Sequence, residues 1–321
     1  MTSAPPRPAP RRTGTPTDPE QVAVVVVTHQ SSADLPGLYA SLPDGLGDVA
    51  WELVVVDNDS ADDSVAVTRG LAPDATVVEM GRNAGYAAGV NAGVRAAGPH
   101  TAVLVLNADV RLDSGCVPAL LDALRRSGAG VAVPRLTDAR GAVIRSQRRE
   151  PSLPRTLAAT VLGAEMAGRR RHWGEVVTDP AAYDSDTVTD WAEGSTQLIS
   201  RECWAACGPW DESFFLYSEE TDFELRARDR GFSTMYVAGA GATHLEGGSA
   251  GSTRLWPLLV VNQVRLYRRR HGAPAAAAVW LVTLVRESSR AVLGRPASRR
   301  AVAALVSPVR LRTRPGPEWL R

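Results

Sequence analysis

The chain contains no lysine: all 36 of its basic residues are arginine, set against 35 acidic ones. That absence excludes a Schiff-base lysine and the lysine of a phosphate-binding P-loop. Cysteine is scarce and odd in number. Cys116, Cys203 and Cys207 form no C-x-x-C pair, so neither a disulfide framework nor a structural zinc site is expected, and the compartment reads as reducing. Long apolar runs are missing as well, with nothing near the ~18 uninterrupted apolar residues of a spanning helix. The opening MTSAPPRPAPRRTGTPTDPE (1–20) lacks the apolar core of a signal peptide and cannot bury enough surface to fold, so a disordered tail is expected there. Charge of one sign is not in excess: a formal net charge of +1 argues against general affinity for nucleic acid. The fingerprint G-x-G-x-x-G is absent too, which removes the main support for a dinucleotide oxidoreductase.

What is present is a series of apolar runs. VAVVVV (22–27), WELVVV (51–56), ATVVEM (75–80) and TAVLVL (101–106) are apolar on both faces, as central strands of a helix-covered parallel sheet must be. Helices are expected between them at Asp34–Leu42, at Ser60–Gly70 with Ser60 as N-cap, and at Ala84–Ala97. Strand alternating with helix reads as a Rossmann-like half, whose ligands sit beyond the carboxyl ends of the strands. That places Thr28, His29 and Gln30, then Asp57, Asn58 and Asp59, then Arg82 and Asn83, then Asn107 and Asp109 along one edge. A helix at 114–127 and a strand at 131–133 follow, then an arginine-rich hairpin or extended loop (140–156) and a mobile loop (163–187). Order returns with a helix at Glu219–Arg230 and a strand at 234–237. Two helices with apolar faces flanked by arginine occupy the tail from Thr253; they either lie on a membrane surface or pack on the catalytic body.

Several of these polar residues can carry chemistry, and each has a plainer alternative. Asp109, in LVLNADV, is either a turn residue or the oxygen ligand of a hard divalent cation. Asp57 either caps the following turn or accepts the imide N–H of a pyrimidine base. The small residues of GRNAGYAAGVNAG (81–93) serve tight helix–sheet packing or the close approach of an anion to a helix start. Glu219, Glu220 and Asp222 complement a helix dipole; the aromatic FFLYS before them is equally a setting that raises a carboxylate pKa toward general-base work. His244 becomes a metal ligand only if it meets Asp109 in space.

In order, VVVTHQ, VVVDNDS, RNAGYAAGVNAG, VLNADV, EGSTQLISRECW and GPWDESFFLYSEETDFELRARDRG, with the late His244, resemble glycosyltransferase family 2 enzymes of GT-A fold. The chain looks most like the actinobacterial rhamnosyltransferases of cell-wall linker synthesis, whose resemblance extends to RSQRREPSL and the basic helical tail. The resemblance implies an α/β GT-A domain over 21–250, with a nucleotide-binding half (21–110), an acceptor half (111–250) and a C-terminal extension (251–321). It places Thr28, Asp57, Arg82 and Asn83 at the nucleotide, with Asn107 shaping the donor site. Asp109 and His244 fall on the metal, Mg2+ or Mn2+, and Glu220 falls at the base, where the family usually carries the aspartate of an E-D pair. Here the pair is Glu219 and Glu220, which leaves the assignment between them open. Arg148 either meets a phosphate or is an exposed loop arginine. The implied reaction is inverting transfer of a sugar, L-rhamnose from dTDP-L-rhamnose or a UDP-sugar, to a glycan or polyprenyl-diphosphate-linked acceptor. The expected location is cytoplasmic, peripheral on the membrane. Two other readings stay open: an inactive nucleotide-sugar-binding partner protein, and a nucleotidyltransferase, for which the Gly-rich basic signature near the first strand is missing.

Overall fold

The computed structural model describes residues 20–170, 172–245 and 253–320. The expected disordered tail, apart from Glu20, and most of the glycine-serine loop after His244 lie outside them.

Four parallel strands form the first half: β1 (Gln21–Thr28), β2 (Ala50–Asp57), β3 (Thr76–Glu79) and β4 (Ala102–Asn107), in the spatial order β3-β2-β1-β4. β1, β2 and β4 are buried because helices cover each side, whereas β3, expected as a central strand, is the edge strand and has no buried residue. Val22, Val24 and Val26 pack toward α1 (Leu35–Leu46) and α4 (Cys116–Ser127), while Val25 and Val27 pack toward α3 (Tyr86–Ala96). Gly89 and Gly93 of α3 lie directly on Val27 and Val25, leaving no room for a side chain, so the small residues of this segment do serve helix–sheet packing. The remaining helix of this half is α2 (Ser64–Leu71), flanking β2 and β3.

The sheet continues beyond β4 in mixed sense. Hairpin strand β5 (Val110–Leu112) leaves the end of β4 for the far edge, β6 (Val131–Thr137) lies inside it, and β10 (Thr196–Ser200) joins β4 and β6 antiparallel to both. Strand β11 (Thr234–His244) runs parallel to β6 and antiparallel to β5, and β8 (Thr187–Thr189) pairs its outer side. A separate two-stranded ladder joins β7 (Gln147–Arg148) to β9 (Trp191–Ala192). Between these lie α5 (Leu153–Leu162), α6 (Ala164–Gly168), α7 (Arg201–Cys207) and α8 (Glu219–Asp229).

Several local expectations need correction. Ser60 does not cap α2, which starts at Ser64; its hydroxyl instead accepts from the Gln30 amide, tying the end of β1 to the end of β2. The 140–156 segment turns back at Asp138–Ala142 and then becomes helical from Leu153, with Ser152 capping the Arg155 amide. The segment 163–187 is no simple mobile loop: Ala167, Val177 and Tyr183 are buried, and Tyr183 stacks edge-on against Tyr236. Isolated buried residues, spaced too widely for periodicity, hold it down. Strand β11 is more than twice the expected length because it continues through a bulge between Val237 and Gly241.

The tail forms α9 (Trp256–Val292), broken into two helices at Gly272, then α10 (Pro296–Leu305) and α11 (Pro308–Arg312). Leu258, Val260, Val261 and Val264 pack with Ala301, Ala304 and Leu305 and with Phe215, Leu216 and Tyr217 of the body. Packing on the body is thus the role of the first helix.

Candidate active site

The ends of β1, β2 and β3 are in register, Thr28 beside Asp57 and Asp57 beside Glu79, with Asn107 of β4 beside Val27. This is the single edge expected for the polar clusters. Asp57 is 5% exposed, and both its oxygens are engaged: one accepts from Thr28 Oγ1 (3.1 Å), the other from the Ser60 amide (3.0 Å). Thr28 and Asp57 therefore brace the edge from beneath. Asn58, equally buried, lines the cavity at this edge. Its Nδ2 donates to Asn83 Oδ1 (3.1 Å), its Oδ1 accepts from the Ala84 amide (2.8 Å), and His29 Nδ1 lies 3.0 Å from its carbonyl. Asn58, Asn83 and His29 thus form one rim across three strand ends. Arg82 is exposed and does not line the cavity.

A cleft of about 560 Å³ opens at this edge, lined by Asn58, Asn83, Tyr86, Asn107, Asp109 and His244 on one side and by Phe215 to Tyr217, Glu219 and Glu220 on the other, with Glu193 beside His244. Asp109 sits in the turn between β4 and β5. Arg111 fixes that turn by donating to the carbonyls of Ala108 (3.2 Å) and Val110 (2.8 Å) and, across to α1, to that of Asp34 (2.9 Å). His244 is delivered by strand pairing: it lies opposite Val110, and the next amide, of Leu245, donates to the Asp109 carbonyl (3.0 Å). The meeting on which its case depended does occur, with Nε2 3.3 Å from Asp109 Oδ1.

Glu193, which sequence reasoning missed, lies on the other side of the imidazole, its Oε1 3.1 Å from Nδ1. Burial disfavours a charged His244, but the two carboxylates outweigh it and push its pKa up to about 10. These contacts are ion pairs more than hydrogen bonds, because neither ring nitrogen has a well-aligned hydrogen-bond partner. The imidazole is thus held between two carboxylates, one at each ring nitrogen. No group of three His, Cys, Asp or Glu among the described residues could hold a metal ion, so a cation at Asp109 and His244 would need further ligands from outside the protein. Asn107 turns its Oδ1 to the Tyr86 hydroxyl (2.7 Å) and shapes the wall.

The opposite wall is strained. Phe215, Tyr217 and Ser218 have φ of 66°, 68° and 76°, three left-handed residues in four positions without a glycine. Such backbone costs on the order of 1–3 kcal/mol per residue and persists only where neighbours over-determine it. Two neighbours do so here. Gly85, at φ 92°, lets the Tyr86 amide reach the Phe215 carbonyl (2.6 Å), and a side chain at 85 would strike that carbonyl. From α9, the fully buried Asn262 shares its Nδ2 among the carbonyls of Phe214 (2.8 Å), Leu216 (2.9 Å) and Tyr217 (3.1 Å). Asn262→Leu is expected to lower stability by about 3 kcal/mol, because buried carbonyls lose their donor. The urea midpoint measures it, and an unchanged midpoint would show that the strained segment stands without α9.

This segment delivers Glu219 and Glu220 into the cleft at the start of α8. Burial pushes Glu219 well above the usual carboxylate range, and the charge of Glu220 adds to it. Burial likewise pushes Glu220 up to about 7, with Glu193 adding and local amides and Arg148 opposing. Asp222 points elsewhere, pairing with Arg226 at 2.7 Å. Arg148 does not line the cleft; its guanidinium lies 5.8 Å over the Trp191 ring, near enough to favour the charged forms of Glu193 and Glu220. Glu224, one turn beyond, was also missed. Its carboxylate accepts from the Ala192 amide (3.0 Å) and Gln197 Nε2 (2.6 Å), which anchors the chain beside Glu193, and burial pushes its pKa up to about 8. The acidic residue of E-G-S-T was one visible signal for Glu193; Asn262 carried none.

The chain resembles the mannosyltransferase PcManGT from Pyrobaculum calidifontis, solved with GDP-Man and Mn2+, at a TM-score of 0.54 and 16% identity, covering 90% of this chain and 81% of that one. It resembles GalNAc-T7, solved with UDP, GalNAc and Mn2+, at a TM-score of 0.56 and 15% identity, covering 78% and 48%. The fold is the expected GT-A fold, a mostly parallel sheet flanked by helices with helices added at the C-terminus. In sequence it is 30% identical over 243 residues to the N-acetylglucosaminyl-diphospho-decaprenol L-rhamnosyltransferase of Mycobacterium tuberculosis strain H37Rv, over 71% of this chain and 77% of that protein. The model of "Glycosyl transferase family 2" matches residues 23–173. With the strand-end cleft and its facing carboxylates, these matches place the chain in glycosyltransferase family 2.

Proposed function

We propose that the chain moves L-rhamnose from dTDP-L-rhamnose, with inversion, to a hydroxyl of a polyprenyl-diphosphate-linked sugar, and that it needs Mg2+ or Mn2+. The observation that carries the reaction type is one cleft with Asp109 and His244 on one wall and Glu219 and Glu220 on the other. The sugar and acceptor rest on the similarity to the mycobacterial rhamnosyltransferase.

In this reading the Asn58, Asn83 and His29 rim receives the nucleotide, with Thr28 and Asp57 bracing it and Arg82 free to fold over it from outside. Asp109 and His244 would hold the cation, which supplies charge stabilisation for the departing diphosphate. Binding there requires His244 to release its proton, and Glu193 then orients the ring. Glu220 takes the proton of the acceptor hydroxyl as that oxygen attacks the anomeric carbon. The environment distinguishes the two glutamates: burial and the charge of Glu220 raise Glu219 well above the usual carboxylate range and favour its neutral form, while Glu220, pushed up to about 7, is the competent base of the pair. Phe215, Leu216 and Tyr217 exclude water from the attack, and Arg148 tempers the negative charge of the cleft.

The catalytic unit is then 21–250, with 251–321 as a helical extension at the cytoplasmic face of the membrane. No helix among the described residues is long and apolar enough to cross a membrane. Support for peripheral contact comes from exposed Val161, Met166, Leu281, Val285 and Val292 on α5, α6 and α9. A thermal-shift panel of dTDP-, UDP- and GDP-sugars with and without Mn2+ tests the donor. At a hundred times Kd, the true donor should add about 2.7 kcal/mol of stability, and only with the cation present. If dTDP-L-rhamnose gives no shift while another nucleotide sugar does, the donor assignment fails; a shift without turnover on any lipid-linked acceptor favours an inactive binding protein.

A further inference from the structure

The arginines of the tail divide into two kinds. Arg270 pairs with Glu150 and Asp229, and Arg286 and Arg290 pair with the buried Glu287. A second set gathers instead around a cavity of about 380 Å³, lined by Arg265, Arg268, Arg269, Arg312 and Arg314 together with Phe214 and Leu311. The chain brings them together deliberately: Arg265 donates to the carbonyl of Arg310 (2.7 Å) and to that of Thr313, folding the end of α11 back onto α9. Only Arg269 of this set has a carboxylate partner among the described residues, Asp211, and it also donates to Ser213 Oγ (2.5 Å). Burial and the charge of Arg269 both lower the pKa of Arg265, the mark of cations crowded together.

Five guanidiniums sharing one carboxylate leave a concentrated positive charge, which folding gains nothing by assembling unless an anion completes it. Planar, bidentate donors on several sides suit the tetrahedral oxygens of phosphate. We propose that this pocket binds a phosphate or diphosphate group, carried by the headgroup of an anionic lipid. The lipid source is favoured by Val306 and Val309, which are 54% and 67% exposed where α10 passes into α11, the helix ending at Arg312. Val309 and Arg312 are three residues apart, on one side of that helix. The pocket also stands behind the site: Ser213 and Phe214 line it, while Phe215, Leu216 and Tyr217 line the cleft. A bound headgroup would thus hold the acceptor side of the enzyme at the bilayer. The inference depends on neither the donor nor the chemistry of the cleft.

The test uses the full chain and two probes: vesicles of phosphatidylglycerol in phosphatidylcholine, read by co-sedimentation, and inorganic pyrophosphate, read by calorimetry. R268Q/R312Q/R314Q should weaken binding about 100-fold, at roughly fivefold per basic residue near an anionic surface. R95Q/R140Q/R201Q, which removes the same charge from exposed positions elsewhere, should change it less than about threefold. R268Q and R314Q alone, each about fivefold, serve if the triple variant does not fold. Loss of vesicle binding with the pocket variants supports the lipid source. Loss confined to pyrophosphate supports the phosphate site and removes the lipid from it. Unchanged binding of both probes, or equal losses in the control variant, overturns the proposal.

Discussion

Glu220→Gln is expected to slow sugar transfer about 10³-fold while leaving donor affinity within a factor of about three, because it removes a general base and little else. Glutamine is nearly isosteric and keeps the start of α8, so the strained segment before it should survive. The pH profile identifies the role. A base acts in its ionised form, so kcat/KM should rise with pH and level off above about 7, where Glu220 becomes ionised. That limb should vanish in the variant. Glu219→Gln, replacing a carboxyl that burial raises well above the usual carboxylate range, should cost far less and retain the limb. If Glu219→Gln suffers the large loss and Glu220→Gln the small one, the assignment within the pair is reversed.

Asp109→Ala should be comparably severe by a different route. Losing the only carboxylate proposed to touch the cation forfeits about 4 kcal/mol of charge stabilisation for the leaving diphosphate, about 10³-fold in rate. Unlike the Glu220 variant, it should also abolish the increment in thermal stability that Mn2+ gives to donor binding. It would relieve His244 of one of its two carboxylates, so the imidazolium would titrate nearer neutrality. Imidazole NMR would detect that change without any turnover. Wild-type transfer and an intact Mn2+ response in Asp109→Ala would place the cation elsewhere.

The parallel half was legible because its signal is local. Val22–Val27 and Thr101–Leu106 are apolar on both faces, and the polar residues that follow them must lie at the same edge of a parallel sheet. The meeting of Asp109 with His244 was not legible, since it depends on β11 pairing with β5 across the far edge of the sheet. Glu193 and Glu224 were hidden for the same reason: each acts on a residue that only tertiary structure brings close. Asp57 illustrates the converse. Its position at the strand end was readable, but its two oxygens serve Thr28 and Ser60, a detail that depends on side-chain direction. Asn262 sits inside an apolar helical run where nothing in spacing separates a three-carbonyl clamp from an ordinary polar face.

The β5–β11 pairing also dictates when the enzyme becomes an enzyme. Asp109 is made early, but His244 and then Asn262 follow about 150 residues later, on the order of ten seconds at ordinary translation rates. During that interval the nascent chain can close its parallel strands through short-range contacts. It can make neither the contact of Asp109 with His244 nor the Asn262 clamp on the wall that bears Glu220, because His244 and Asn262 are not yet synthesised. A ribosome stalled before β11 would therefore present the folded parallel strands without the contact of Asp109 with His244 and without the Asn262 clamp on the wall that bears Glu220.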